Sequence, residues 1–331
     1  MCNQGMILSN CSIDALSRAA EKLRAGGLVA FPTETVYGLG ADATNAEAVA
    51  RIYQVKGRPS DHPVIVHLAE INQIDEWVAD IPHYAIALSR KFWPGPMTLI
   101  LPRSAKVGDF ITGGQTSVGV RIPNNPLALE FLKLAGVGVA APSANRFGAI
   151  SPTSALAVQE EIGAFLNPET DLILDGGSPE VGVESTIIEC MSSAPRILRP
   201  GAITHEMIEK VTGLTIDESS SQVRASGTLE QHYSPRAKVF LLDSENSYGK
   251  EIIGSGFLAL STIPTPDGAI RLAAPANDEE YARVLYDALR EGDRRNLSTI
   301  YVLPPVGAGV AVAIRDRLKR ASSECGSHRL F

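Results

Sequence analysis

Two cations flank one glycine in KGRPSDHPVIVHL, residues 56–68, and the stretch runs on into an apolar segment that carries His67. Taken singly, Lys56 reads as a partner of a helix macrodipole and Arg58 as a solvated charge of small energetic weight. Taken together they suggest more: Pro59 and Pro63 stiffen the turn and hold both charges at low entropic cost, as a polyphosphate site requires. His67 sits within Val64–Leu68, where an unpartnered imidazole would cost roughly 1–3 kcal/mol. It therefore has either a structural acceptor or a polar ligand.

Three further stretches carry comparable chemistry. PTETVYGLGAD, residues 32–42, crowds two threonines, a glutamate and a tyrosine beside Gly38 and Gly40, and reads either as a glycine-rich turn or as a place where a ligand approaches the backbone. APSANRFGAISPTSA, residues 141–155, offers Ser143 and Asn145 as neutral donors. Ser151-Pro152 then reads as an N-cap followed by proline at N1, with Thr153 and Ser154 in the first turn. Arg121 in VGVRIP and Arg199 in ILRPG each sit between apolar neighbours, as an edge snorkeller or as a fixed fork for a carboxylate or phosphate. Ser185-Thr186 adds a hydroxyl pair at a strand start. Neither a P-loop, a GxSxG elbow, an HExxH helix nor a CxxC pair is present, which takes support from those chemistries.

The elements that must hold these residues alternate. Ser12–Ala25 predicts an amphipathic helix stopped by Gly26-Gly27, and Thr44-x-x-Glu47 a capping box opening a helix that Gly57 ends, with Lys56 in its last turn. Strands are expected at 28–31, 64–68, 97–101, 117–122, 137–141, 172–175, 185–189 and 196–198, with helices at 83–92 and 126–135. Residues 216–231 turn polar, and past them short apolar strands at 239–242, 256–261, 270–272 and 300–303 alternate with helices at 279–290 and 311–321. With 331 residues, 44% of them hydrophobic, the chain is long enough for two domains: 1–213, a linker over 214–236, and 237–331. A net charge of -7 with no long basic run argues against bulk electrostatic capture of nucleic acid. Cys2, Cys11, Cys190 and Cys325 are too scattered for a zinc site or disulfide framework, and neither a signal sequence nor a membrane span is indicated, so a cytoplasmic protein is expected.

PTETVYGLG, KGRPSDHPVIVH, WPGPMTL, VGVRIP, APSAN and ILRPG, in this order, resemble the threonylcarbamoyl-AMP synthase family with its YrdC-like domain, and the HYSP-bearing linker with a second α/β module resembles its two-domain branch. The resemblance implies an α/β fold: a YrdC-like domain with a twisted mixed sheet and flanking helices, plus a smaller Rossmann-like C-terminal domain. It implies synthesis of L-threonylcarbamoyladenylate and pyrophosphate from L-threonine, bicarbonate or CO2, and ATP, for modification of tRNA beside the anticodon. Thr35, His67, Arg121, the Ala141 backbone and Ser185 would hold L-threonine. Arg58, His62, Ser117, Ser143, Asn145, Ser151, Arg199 and Tyr233 would face ATP, and Lys56 with Arg58 would act on the phosphates. His62 stands where asparagine is common in the family, and the linker lacks the usual Pro-Gly-Met-Lys wording. Mg2+ is expected with ATP, without a dedicated carboxylate cage. The implied partners are the proteins that transfer the threonylcarbamoyl group to tRNA, with weak or indirect RNA contact. A non-catalytic RNA-binding module and a carbamoyl-transfer subunit of hydrogenase maturation are the alternatives; the latter carries cysteine-rich zinc modules absent here.

Overall fold

The computed structural model describes residues 6–9, 12–227, 233–244 and 249–322. The chain divides into two compact units, Met1–Phe147 with Ser151–Thr228, and Gly148–Ile150 with Leu229–Phe331. The first unit thus takes in most of the polar stretch that composition assigns to a linker.

Strands β1 (Ile7–Leu8), β2 (Val29–Phe31), β3 (Gly38–Asp42), β4 (Ile65–His67), β5 (Met97–Pro102), β6 (Ser117–Arg121), β7 (Val139–Ala140), β8 (Leu172–Leu174), β9 (Thr186–Glu189) and β10 (Arg196–Arg199) build one mixed sheet in the first unit. Their order is β1-β8-β2-β3-β7-β4-β6-β5-β9-β10. From Leu28 through β2, residues alternate between two cores: Leu28 and Ala30 join Val49, Ile52, Leu88, Leu99 and Val120, whereas Val29 and Phe31 join Leu16, Leu23, Phe131 and Leu132. The period of two shows a sheet covered on both faces, which explains why its strands read as continuous apolar runs. Each fully buried aliphatic or aromatic side chain contributes about 1.5–3 kcal/mol to this packing.

β3 is a strand where the sequence suggests a turn, paired antiparallel with both β2 and β7. Its glycines serve strand packing: a Cβ on Gly40 would lie 2.8 Å from Val139 Cγ1 and 3.0 Å from the Phe31 ring. Two expected caps are also displaced. Asn45, not Thr44, caps helix Ala46–Lys56, because the Thr44 hydroxyl is taken by Asp42 Oδ1 at 2.7 Å. Ser154, not Ser151, caps helix Ala155–Ile162, because Ser151 Oγ donates to Glu184 Oε1 at 2.6 Å.

In the second unit β11 (Lys238–Leu241), β12 (Gly256–Leu258), β13 (Ile270–Ala273) and β14 (Thr299–Val302) form an all-parallel sheet in the order β11-β14-β12-β13. Helices Asp278–Arg294 and Val310–Ala321 pack together beside it. Cys190 is buried and free, with burial pushing its thiol up to about 12; Cys2, Cys11 and Cys325 lie outside the described residues. Among the described residues no helix is long and apolar enough to cross a membrane.

Candidate active site

Register alone brings two of the predicted residues together. β4 and β6 run parallel with His67 opposite Arg121, and β7 pairs Val139 with His67 on the other side. Both side chains are buried, and Arg121 Nη2 stands 2.8 Å from Glu34 Oε1, an ion-pair distance without hydrogen-bond alignment. Among the described residues, Arg121 Nε and Nη2, both Glu34 carboxylate oxygens and His67 Nδ1 are sealed from solvent and make no hydrogen bond. Burial first, and then the Arg121 charge, drive the His67 pKa down to about 3, so the imidazole is neutral at ordinary pH.

Glu34 and Thr35 reach this place on a tightly tied loop. Thr33 Oγ1 donates to the Val36 carbonyl, accepts from the amides of Thr35 and Val36, and lies 2.8 Å from Thr35 Oγ1. The Val181 amide holds the Glu34 carbonyl at 2.8 Å. Ala141, at the end of β7, donates its amide to the Ile65 carbonyl at 2.9 Å, which ties the APSAN loop to β4.

Lys56, in the last turn of its helix as expected, is buried against a neighbouring loop. Its ammonium donates to the carbonyls of Ser143, at 2.6 Å, and Asn145, and only 2% of the residue is exposed. The Phe147 amide returns to the Lys56 carbonyl, and Arg146 Nη1 reaches the Val55 carbonyl. Loop 141–147 and the end of helix Ala46–Lys56 therefore satisfy each other's backbone groups. Gly57 makes the closure possible with φ +61°; a Cβ there would also meet Arg146 Nη2 at 2.6 Å. Burial, then Arg58 and Arg146, press the Lys56 pKa well below its ordinary value, against the pull of Glu161.

A strap formed by residues 216–226 joins the remaining cations. Ile216 enters the core of the first unit, Ser221 Oγ donates to Glu189 Oε2 at 2.6 Å, and Arg224 exchanges hydrogen bonds with Gln115. Ser226 then lies between two predicted ATP residues: Arg58 Nη2 donates to its hydroxyl at 3.2 Å and Arg199 Nη1 to its carbonyl at 2.9 Å. Arg199 also donates through Nε and Nη2 to the Ser185 carbonyl, and Ser185 Oγ is 2.8 Å from Thr98 Oγ1. The chain of contacts Arg58, Ser226, Arg199, Ser185, Thr98 thus links the residues predicted for the two substrates. Beneath the strap, Ile65, Ser117, Gly119, Ile187 and Ala225 border a void of only about 10 Å³.

His62 rests edge-on against Phe147, ring centroids 5.4 Å apart, and burial followed by the Arg58 charge lowers its pKa. Ser151 is bound to Glu184, as above. Tyr233 belongs to the second unit, where it is buried with φ 66°, packs its ring on Tyr286 and lies under the Arg317 guanidinium. His232 of the linker motif lies outside the described residues. Sequence reasoning missed Glu34, Thr98 and Ser226. Glu34 is conspicuous in PTET as an acid between threonines, but only the β6 register reveals its arginine. Ser226 carries no signal of its own.

Fold and site together define an α/β protein that gathers buried cations and small hydroxyls in one mixed-sheet unit. Comparison with known proteins is specific within that class. One family model, described as telomere recombination and covering Sua5, YciO and YrdC proteins, matches residues 21–201, and a second, the threonylcarbamoyl-AMP synthase C-terminal domain, matches 203–323. The threonylcarbamoyl-AMP synthase of Pyrococcus abyssi is 39% identical over 92% of this chain and 93% of its own, and that of Bacillus subtilis 38% over 93% and 92%. The crystal structure of P. abyssi Sua5 complexed with L-threonine superposes with a TM-score of 0.86 at 38% identity, covering 96% of this chain and 97% of that one. The chain belongs to the two-domain threonylcarbamoyl-AMP synthase family, and is a nucleotidyltransferase enzyme.

Proposed function

We propose that the protein condenses L-threonine, bicarbonate or CO2, and ATP into L-threonylcarbamoyladenylate and pyrophosphate, and that the adenylate supplies the group installed beside the anticodon of tRNA. The observation that carries this reading is the set of buried polar atoms on Arg121 and His67, register partners in the middle of the sheet, that make no hydrogen bond among the described residues. Buried polar atoms in a native protein have partners, and here a small polar ligand would supply them. The P. abyssi relative whose crystal structure contains L-threonine supports the same choice of ligand.

Arg121 takes the threonine carboxylate as a bidentate fork, and His67 with Thr35 takes the side-chain hydroxyl. The amine, once it carries CO2 as a carbamate, presents an oxygen to the α-phosphate of ATP, and pyrophosphate leaves. No side-chain nucleophile is needed; the protein supplies proximity and charge stabilisation. Arg58 and Arg199 stabilise the phosphates, with Ser117, Ser143, Asn145, Ser151 and His62 completing the nucleotide site. Lys56 contributes by bracing the loop that presents Ser143 and Asn145. Ser226 of the strap occupies Arg58 and Arg199, so in this reading ATP enters when residues 216–226 lift.

Among the described residues no three His, Cys, Asp or Glu side chains converge as a metal cage. A Mg2+ ion arriving with ATP would take its oxygen ligands from phosphate and water. Proteins that transfer the threonylcarbamoyl group to tRNA are the expected recipients of the product. The test is mass detection of the adenylate after incubation of the full chain with labelled L-threonine, bicarbonate and Mg-ATP; absence of a threonine- and bicarbonate-dependent adenylate overturns the proposal.

A further inference from the structure

We infer that Glu34 is a further substrate residue, the acceptor for the α-ammonium of threonine, and that it makes the site selective for α-amino acids over their hydroxy-acid analogues. The inference rests on the proposed threonine site and adds to it a residue and a specificity.

Three groups meet at this place, and their charges differ. Arg121 offers a cationic edge through Nε and Nη2, Glu34 an anionic carboxylate, and His67 a neutral Nδ1; all of these atoms are sealed from solvent and make no hydrogen bond among the described residues. Threonine carries one carboxylate, one ammonium and one hydroxyl. With the carboxylate on Arg121 and the hydroxyl at His67, the ammonium is left for Glu34.

The spacing agrees. Arg121 Nη2 and Glu34 Oε1 are 2.8 Å apart. The nitrogen and nearer carboxylate oxygen of an α-amino acid, three bonds apart, are held at a similar separation. A zwitterion laid along the pair therefore sets each of its charges against the opposite one. Position agrees too. Glu34 is 3% exposed, its carbonyl is fixed by the Val181 amide, and Thr33 locks the turn on its other side, so the carboxylate is aimed rather than trailing. A buried carboxylate that only balanced Arg121 would be expected to align with it as a charge-assisted hydrogen bond, which this one does not.

The experiment is calorimetric titration of the full chain with L-threonine and with 2,3-dihydroxybutanoate, the analogue whose α-amine is replaced by a hydroxyl. The unsubstituted protein should prefer threonine by at least about tenfold, and Glu34→Gln should weaken threonine by at least about tenfold while leaving the analogue nearly unchanged, so that the preference disappears. Glu34→Asp, which keeps the charge and draws it back by one methylene, should bind threonine more weakly but keep the preference. It carries the test if the glutamine variant does not fold by thermal unfolding. A purely structural role predicts equal weakening of both ligands. A folded Glu34→Gln protein that still discriminates overturns the inference and leaves the threonine site standing, as does a Glu34→Asp protein that binds both ligands like the unsubstituted chain. Failure of the unsubstituted protein to bind threonine overturns both.

Discussion

Arg121 and Arg199 are both strand arginines of one sheet, each 4% exposed, yet their surroundings are opposite. Arg199 donates to the Ser185 carbonyl, the Ser185 hydroxyl and the Ser226 carbonyl, so its fork is occupied by the protein itself. Arg121 has a carboxylate beside it but, among the described residues, makes no aligned hydrogen bond through Nε or Nη2. Leaving buried donors unsatisfied costs roughly 1–3 kcal/mol each, so the Arg121 end is held ready at the expense of stability while the Arg199 end contributes to it. Under the proposed function, the difference separates a binding pole for a small amino acid from a nucleotide pole whose cations are tied to a strap.

The largest effect expected from breaking this contrast is at Arg121. Arg121→Ala should reduce threonine affinity about a hundredfold, leave ATP affinity close to that of the unsubstituted chain, and cost about 3–5 kcal/mol because Glu34 remains buried without its counter-charge. Replacing both, Arg121→Met with Glu34→Met, should recover much of the stability and none of the threonine binding. Denaturant unfolding and calorimetry read the two quantities separately. A double variant no more stable than the single one would show that the pair is not the source of the cost.

Lys56→Met comes next. It deprives the Ser143 and Asn145 carbonyls of their donor and should destabilise the protein by about 2–4 kcal/mol, with ATP use falling and threonine affinity changed little. Lost activity at unchanged stability would place the ammonium on a phosphate instead and make Lys56 a binding rather than a bracing cation.

These two residues also mark how far the sequence reads. Helix Pro126–Ala135 and strands β4 and β6 are legible because caps and apolar runs act over a few neighbours. The family motifs locate Arg121, His67 and Arg58 as candidates. What a Lys56 ammonium touches depends on residues about ninety positions away, and a lysine in a helix's last turn has the same local signal whether it ends in solvent or on a loop carbonyl. β3 escapes for a related reason: its glycines look like a turn until Phe31 and Val139 are seen filling the space a Cβ would need. Asn45 and Ser154 take over from Thr44 and Ser151 as caps because those hydroxyls have distant or acidic partners that no spacing rule contains.

A pH scan sharpens the Arg121 pole with a smaller effect. In the folded chain His67 titrates at about 3, against an ordinary value of 6.5 in the unfolded one. Between those limits the unfolded state binds a proton that the folded state refuses. The stability His67 allows is therefore complete above pH 6.5 and is lost as pH falls toward 3, with a slope of about 1.4 kcal/mol per unit. His67→Gln, neutral throughout, should lack this component. The difference between the two proteins' unfolding free energies, followed from pH 7.5 to 5, should slope accordingly; a flat difference would mean that His67 is not held neutral by its surroundings.

The mildest change tests the nucleotide pole. Ser226→Ala removes the hydroxyl that accepts from Arg58 and donates to the Pro63 carbonyl, but it keeps the Ser226 carbonyl on Arg199 and the burial of Ala225 beside Ile100 and Ile187. The strap should stay in place and loosen at one point, costing about 0.5–1.5 kcal/mol. Because Arg58 is released on that side only, ATP affinity should change by a few-fold while threonine affinity stays put. The sign of the ATP change is informative. Weaker binding means that Ser226 holds Arg58 in its working orientation; tighter binding means that the strap competes with phosphate for the guanidinium, and the occupied forks of this pole are then a resting state that the nucleotide displaces.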